Sequence, residues 1–277
     1  MNSVLITGGS GYFGRACAKH LLLDPSVKRV CIYSRSEHAQ AAMREEIGQD
    51  ERMRYFIGDV RDRERLRRAM DGIELVIHAA ALKRVEVCEY DPIEVTKTNV
   101  GGAINVIEAA TDARVEKIVA LSSDKACDPV NAYGASKLLA EKLFLAANNG
   151  RGANGPICAV TRYGNVWGST GSVLPRWREQ LLHADTVTVT DPSCTRFFMT
   201  IQEAVQLVMD TAHWMRGGEL AIPELPAFRL GDLAEAMGAK MNVIGLPPSE
   251  KRHESMQTGH SSDTACRMTV AELRSHL

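Results

Sequence analysis

The chain has 277 residues, with 33 Lys plus Arg against 34 Asp plus Glu, for a net charge of −1. So even a balance supplies no field that would gather nucleic acid or an anionic membrane. A content of 45% hydrophobic and 24% charged residues excludes disorder, collagen-like repeats and coiled coil.

The N-terminus runs straight into Val4-Leu5-Ile6, with no basic n-region or cleavage site, and reads as a first strand instead of a signal peptide. Thr7-Gly8-Gly9-Ser10-Gly11-Tyr12-Phe13-Gly14 follows and opens a helix predicted over 14–23. Apolar runs at 30–32, 55–57, 75–77, 118–121 and 158–160 then alternate with segments of helical period at 37–47, 63–70, 94–110 and 132–148. Runs apolar at nearly every position suit strands buried on both faces. Their strict alternation with helices predicts an α/β fold, a Rossmann-like doubly wound parallel sheet. Beyond residue 165 the alternation weakens. We expect a dinucleotide-binding domain at 1–165, its later strands completed by returning segments, and a smaller C-terminal substrate-binding lobe at 166–277. No stretch approaches the roughly 20 apolar residues of a membrane span. Seven scattered cysteines without a C-x-x-C pair fit neither a disulfide framework nor a zinc knuckle, so no metal site is expected and a reducing cytoplasm is the simplest compartment.

Gly8, Gly11 and Gly14 sit where a strand meets a helix. There glycines permit a tight turn, close approach of backbone to a pyrophosphate and close helix-on-sheet packing, with the anion on free N–H groups of the helix N-terminus. At the end of the second strand, Ser34-Arg35-Ser36 offers cationic and hydroxyl partners for a ribose 2′-phosphate, which favours NADP over NAD. Asp59, in Gly58-Asp59-Val60, suits an adenine amine or a simple turn. Ala79-Ala80-Ala81 leave room for a cofactor against backbone, and His78 reads as a core histidine. The chemical centre is Ser122-Ser123-Asp124-Lys125 followed by Tyr133 and Lys137. The last two are spaced i, i+4 and share a helix face, where a lysine cation would lower the phenol's pKa and make it a usable base. A surface Tyr/Lys pair has the same spacing.

Thr7-Gly8-x-x-Gly11-x-x-Gly14, Tyr133-x-x-x-Lys137 and the strand pattern resemble the extended short-chain dehydrogenase/reductase superfamily. Ala79-Ala80-Ala81-Leu82-Lys83, Lys97-Thr98-Asn99-Val100-x-Gly102, Ser122-Ser123-Asp124-Lys125-Ala126, Arg162-Tyr163-Gly164-Asn165-Val166, Thr195-Arg196-Phe197 and Glu250-Lys251-x-His253-Glu254 resemble, within it, the inverting UDP-N-acetylglucosamine 4,6-dehydratases. That resemblance implies C4 oxidation with Tyr133 as base and Lys137 beside it, removal of the C5 proton by Lys125, loss of the C6 hydroxyl with a proton from Asp124, and hydride return to C6. It implies that Ser123 stands where relatives carry Thr. It places Tyr12, Phe13, Val60, Asn99, Ser122 and Val166 with the cofactor, Asn99 also supporting the catalytic loop from inside the neighbouring helix. Lys83 and Asn165 would then lie near the sugar and phosphates, Val173 near the base, Arg196 on the pyrophosphate and Glu254 on a ribose. Retaining enzymes carry Glu in place of Lys125, so Asp124-Lys125 favours inversion at C5. For Lys125 to act as base, burial and a neighbouring cation such as Lys137 would have to depress its pKa. Members of that family carry a longer segment after the last motif.

A C4 epimerase or reductase of the same superfamily would need Tyr133 and Lys137 but has no use for Asp124-Lys125. A non-catalytic NADP-binding module would need neither. The expected partners are a nucleotide sugar and a second copy of the chain, with neither nucleic acid nor membrane; Ala109-Ala110, Leu138-Leu139 and Leu143 offer faces for that pairing, or equally for packing on the sheet.

Overall fold

The computed structural model describes residues 1–153 and 155–277. The elements in chain order are β1 (Ser3–Thr7), α1 (Tyr12–Leu22), β2 (Arg29–Ser34), α2 (Glu37–Ile47), β3 (Met53–Ile57), α3 (Arg63–Ala69), β4 (Leu75–His78), α4 (Val85–Tyr90), α5 (Pro92–Val95), α6 (Gly102–Asp112), β5 (Lys117–Leu121), α7 (Ala132–Gly150) and β6 (Ile157–Thr161). They continue with β7 (Asn165–Val166), α8 (Val173–Leu181), β8 (Thr186–Val189), β9 (Thr195–Met199), α9 (Ile201–Trp214), β10 (Leu220–Ala221), β11 (Ala227–Arg229), α10 (Leu230–Ala236), β12 (Lys240–Val243), β13 (Ser255–Gln257), β14 (His260–Ser261) and α11 (Val270–Ser275).

Seven strands form a sheet in the order β10-β6-β5-β4-β1-β2-β3, parallel at every pairing. This is the doubly wound order, with its switch point between β1 and β4. The apolar runs fall where strands were expected because each is covered on both faces: Val4, Ile6, Val30 and Ile77 pack toward α1 and α9, whereas Leu5, Cys31, Val76 and Ile118 pack toward α3, α6 and α7. Ser36 caps α2 by accepting from the Ala39 N–H, and Asp62 caps α3 through Arg65 N–H. Both side chains replace a partner that the first helical turn lacks.

Two features differ from the periodicity. The helix expected over 94–110 is α5, a π-helical turn at Thr96–Gly101 and then α6; the wider turn rotates Asn99 inward, where it is 2% exposed. Ala109 and Ala110, expected on an association face or against the sheet, are fully buried in the core beneath α6. Small residues there allow the helix to lie close to the sheet.

The chain beyond β6 does not stay apart from the sheet. β10 joins its edge beside β6, and α9 packs against α1, β5 and β6. The remainder builds a separate core around Trp177, Val187, Phe198, Phe228 and Leu233. This mass overhangs the carboxyl ends of β1, β4 and β5.

Candidate active site

A cleft of about 940 Å³ opens over those carboxyl ends, within the range of small-molecule sites. Its wall begins at the first turn. Gly8 has φ +67°, and a Cβ there would stand 2.9 Å from Ala80 Cα, so only glycine lets the β1 turn lie against the β4 loop. Gly11 caps α1 without a side-chain hydrogen bond, and the first turn carries no acidic residue. The positive helix end and its free N–H groups therefore remain available to an anion. Gly8, Gly11, Tyr12, Phe13 and Gly14 line this end, with Ala79, Ala80 and Ala81 opposite. Tyr12 Oη donates to Trp167 O at 2.9 Å, closing a bridge between the two sides.

The adenosine end holds Ser34, Arg35, Asp59 and Val60. The Ser34 hydroxyl accepts from Ser10 Oγ at 2.9 Å and from Gln40 Nε2 at 2.9 Å. Asp59 is gripped by Arg61 through Nε at 3.0 Å and Nη2 at 2.7 Å, and Arg35 Nη1 lies 3.9 Å away. Arg61, which the motifs did not single out, is paired in turn with Glu94 at 2.6 Å and does not line the cleft. The Ser36 hydroxyl accepts from the Ala39 N–H as the helix cap, which leaves its O–H to donate into the cleft that Ser36 lines.

The chemical centre is a short helical turn at Asp124–Ala126, directly after β5. The turn is pinned to the neighbouring loop: Ser122 N–H donates to Thr161 O at 2.7 Å and Asp124 N–H to Tyr163 O at 3.1 Å. Ser123 Oγ donates to Asp124 Oδ1 at 2.8 Å and accepts from Lys125 N–H at 3.3 Å. Tyr133 lies in the first turn of α7 and Lys137 one turn on, both buried. Lys137 Nζ donates to Leu121 O at 2.6 Å; burial pushes its pKa down to about 8, against the pull of Glu141. The Tyr133 phenol is pushed up to about 12 by burial, with Lys125 and the Ser123 hydroxyl working the other way. Lys125 is a cation that bears on Tyr133, while the Lys137 ammonium is turned onto the end of β5.

Lys125 itself overturns a further expectation. Its Nζ lies 3.2 Å from Asp124 Oδ1 and 3.1 Å from Glu254 Oε1. Burial works against its charge, but Asp124 and Glu254 outweigh burial and hold the ammonium above the ordinary lysine range. The neighbours of this lysine are carboxylates, which retain its proton in the free protein. Asp124 is moved upward by burial and by Glu254, against the charge of Lys125.

Glu254 reaches the centre because the 250–254 segment bridges onto β9. Thr195 N–H donates to Arg252 O at 3.0 Å, and Ser262 Oγ accepts from Glu254 N–H at 2.9 Å. Arg196 lines the cleft, yet its guanidinium is already paired with Glu250 at 2.6 Å and donates to the carbonyls of Thr195 and Arg252. The arginine expected to be free for a pyrophosphate therefore carries its own counter-ion. Lys251 Nζ donates to Cys127 O at 2.5 Å and lies 3.7 Å from Glu254 Oε2. Glu250 and Lys251 belong to the Glu250-Lys251-x-His253-Glu254 stretch, whose spacing does not show which way either side chain faces. Lys83, Asn165, Val166 and Val173 line the same cleft.

Asn99 is the exception among the expected cofactor contacts. It does not line the cleft; its amide accepts from Leu82 N–H and donates to Leu82 O and Ser136 Oγ, tying the β4 loop to α7 from behind. One buried side-chain oxygen each of Thr98, Ser122, Asp124 (Oδ2), Asn165, Ser172 and Glu254 (Oε2) lacks a hydrogen-bond partner among the described residues, and all six belong to cleft-lining residues. Buried polar atoms normally find partners, so their concentration here marks a surface built for a polar ligand. No described group of three or more His, Cys, Asp or Glu could hold a metal.

The parallel sheet, the glycine turn and the Tyr133/Lys137 pair define a Rossmann protein of the short-chain dehydrogenase/reductase type. Within that class, the chain belongs to the family of polysaccharide biosynthesis proteins, whose pattern it matches over residues 4–272. It is 45% identical over 263 residues to the UDP-N-acetylglucosamine 4,6-dehydratase (inverting) of Campylobacter jejuni, covering 94% of this chain and 78% of that protein. It is 40% identical to a UDP-glucose 4-epimerase of Rickettsia canadensis, covering 92% and 77%. The X-ray structure of Pen from Bacillus thuringiensis superposes with a TM-score of 0.95 at 35% identity, covering 99% of this chain and 96% of that one.

Proposed function

We propose that the protein is an NADP-dependent nucleotide sugar 4,6-dehydratase, acting on UDP-N-acetylglucosamine and inverting C5. One observation carries the reading. The cleft brings the Tyr133/Lys137 pair together with a second acid–base set, Asp124 and Lys125, linked at 3.2 Å. Oxidation at C4 requires only the first pair.

The glycine turn, the uncapped N-terminus of α1 and the unpartnered Ser122 hydroxyl fit a nicotinamide dinucleotide, with Arg35 at the ribose 2′ position favouring NADP. When bound, the cofactor supplies a hydride acceptor and donor at the sugar. Tyr133 Oη takes the C4 hydroxyl proton, and the Ser123 hydroxyl supports its deprotonated form. A C4 ketone makes the C5 proton acidic. Lys125 then removes that proton, and Asp124 protonates the departing C6 hydroxyl. Burial favours the protonated form of Asp124 that this second role requires.

The epimerase reading has support in the Rickettsia relatives. It leaves Asp124 and Lys125 without work, and the two readings separate in one assay. The enzyme is incubated with UDP-N-acetylglucosamine in deuterated water and the product followed by NMR. Loss of the C6 hydroxyl with deuterium at C5, both abolished in Lys125→Ala, supports the dehydratase. A C4 epimer, or full turnover of Lys125→Ala, refutes it. We read residues 1–165 with the returning β10 as the cofactor unit and the core beyond as the substrate lobe. We also read the exposed Ile104 and Leu139 on α6 and α7 as part of a homo-oligomer contact, which light scattering tests.

A further inference from the structure

Glu254 has one oxygen hydrogen-bonded and one that is not. Its side chain is 2% exposed; Oε1 contacts Lys125 Nζ at 3.1 Å, whereas Oε2 has no hydrogen-bond partner among the described residues, the Lys251 ammonium standing 3.7 Å from it, and belongs to a residue lining the cleft. The other charges around the pair are Asp124 from the same turn, Arg196 from β9 and Lys251 from the 250–254 segment, with the Tyr133 phenol facing them from α7. A buried carboxylate oxygen without a donor is a costly arrangement in isolation. A ligand hydroxyl would satisfy it.

We propose that Glu254 is a positioning residue of the elimination step: one oxygen holds the Lys125 ammonium while the other takes a hydroxyl of the bound nucleotide sugar, so that substrate binding releases the base. This deepens the dehydratase reading and rests on it. The proton inventory balances. The step starts from Asp124 and Glu254 as carboxylates and Lys125 as an ammonium, the forms that their 3.2 Å and 3.1 Å contacts favour. Moving one proton from Lys125 Nζ to Asp124 across their 3.2 Å contact yields a neutral amine and a carboxylic acid, the two forms that elimination needs, without exchange with solvent. Glu254 opposes that transfer while its charge bears fully on Nζ. A hydroxyl donating to Oε2 draws the charge away, and the transfer becomes favourable. Elimination then returns a proton from C5 to Nζ and sends the Asp124 proton out with the C6 oxygen as water. Asp124 and Lys125 end in their starting forms.

The test uses cofactor-loaded enzyme labelled with 13C at lysine Cε, the Lys125 resonance being assigned by its absence from Lys125→Met. Removing a negative charge next to an ammonium lowers its pKa, so Glu254→Gln is expected to lower the Lys125 midpoint by about one pH unit or more. Glu254→Asp, which keeps the charge, is expected to restore most of it. In a Tyr133→Phe background, where turnover stops at C4, saturating UDP-N-acetylglucosamine is expected to lower the midpoint with Glu254 present and to leave it unmoved with Gln. In wild-type turnover the whole pH profile of kcat/KM should move to lower pH in Glu254→Gln, because the same charge also raises Asp124. An unchanged Lys125 midpoint, with only KM raised, would reduce Glu254 to a substrate contact and overturn the proposal. The midpoint comparison needs no turnover. Absence of dehydration with a shifted midpoint would therefore refute the activity and leave the Glu254–Lys125 contact standing.

Discussion

Replacing Gly134 with alanine should damage the chemistry from a position that touches no substrate. A Cβ at Gly134 would stand 2.2 Å from Lys125 O and 3.0 Å from Pro129 Cβ, so the first turn of α7 lies directly on the turn that carries Asp124 and Lys125. Ordinary contact begins near 3.4 Å, and the two segments must therefore separate by roughly 1.2 Å. The helix has little room to retreat, since Ser136, Lys137, Ala140 and Phe144 are buried on its inner face in a close-packed interior. The Asp124–Ala126 turn is the part that yields, taking both acid–base groups with it. Overpacking of this kind costs about 1–3 kcal/mol. At roughly 2.1 cal/mol/K of unfolding entropy per residue, that corresponds to a fall of about 2–5 °C in Tm. A misplacement of about 1 Å at a reacting group can cost ~10²-fold in rate. The assays are kcat for the dehydration measured by NMR and Tm by calorimetry. A variant that keeps kcat within about threefold of wild type, when ~10²-fold is expected, would refute the claim that this contact sets the position of Lys125.

Glu141→Leu strands Arg162, which is 7% exposed and bonded to Glu141 through Nε at 2.9 Å. Leaving a buried charge uncompensated should cost about 3–5 kcal/mol in urea unfolding, and Lys137, deprived of the carboxylate that raises its pKa, should titrate below about 8. His78 is pushed down to about 3 by burial, with Lys137 adding to the effect, so the folded protein holds it neutral while the unfolded chain takes up a proton below the ordinary value of 6.5. Its contribution is intact above that pH and is lost as pH falls, by ~1.4 kcal/mol per unit. His78→Gln should accordingly show a flatter loss of stability between neutral pH and about pH 5 than wild type. Equal slopes would refute the assignment. Arg35→Ala should weaken NADP about tenfold or more while leaving NAD nearly unchanged, as expected for loss of a charge-assisted phosphate contact; calorimetric titration with both dinucleotides decides it.

Much of this architecture was legible because its signals are local. A strand covered on both faces must be apolar at successive positions, and β1, β2, β4, β5 and β6 are. Helix α2 has the bounds its periodicity predicts, since Ser36 caps one end and Gly48 closes the other. The glycine turn could be placed because it stands between a strand and a helix. Asn99 was legible as a support inside the neighbouring helix, but its partners were not. Its role depends on a π-helical turn that rotates it onto the Leu82 backbone, and the residue types of that turn do not announce the rotation. Ala109 and Ala110 show a similar limit, since small residues suit both a helix–sheet contact and a subunit contact.

The residue types and their spacing determined the chemistry available to this protein. Tyr133 and Lys137 share a helix face because helix geometry requires it, and Asp124 precedes Lys125 because they are adjacent in the chain. The tertiary structure decided which charges act on which groups. Electrostatic influence falls with distance in space and is amplified by burial, and neither quantity is carried by spacing along the chain. Lys137 therefore lies one turn from Tyr133 and yet donates to Leu121 O, while Glu254, brought in by the pairing of its segment with β9, lies 3.1 Å from Lys125 and helps to hold its proton.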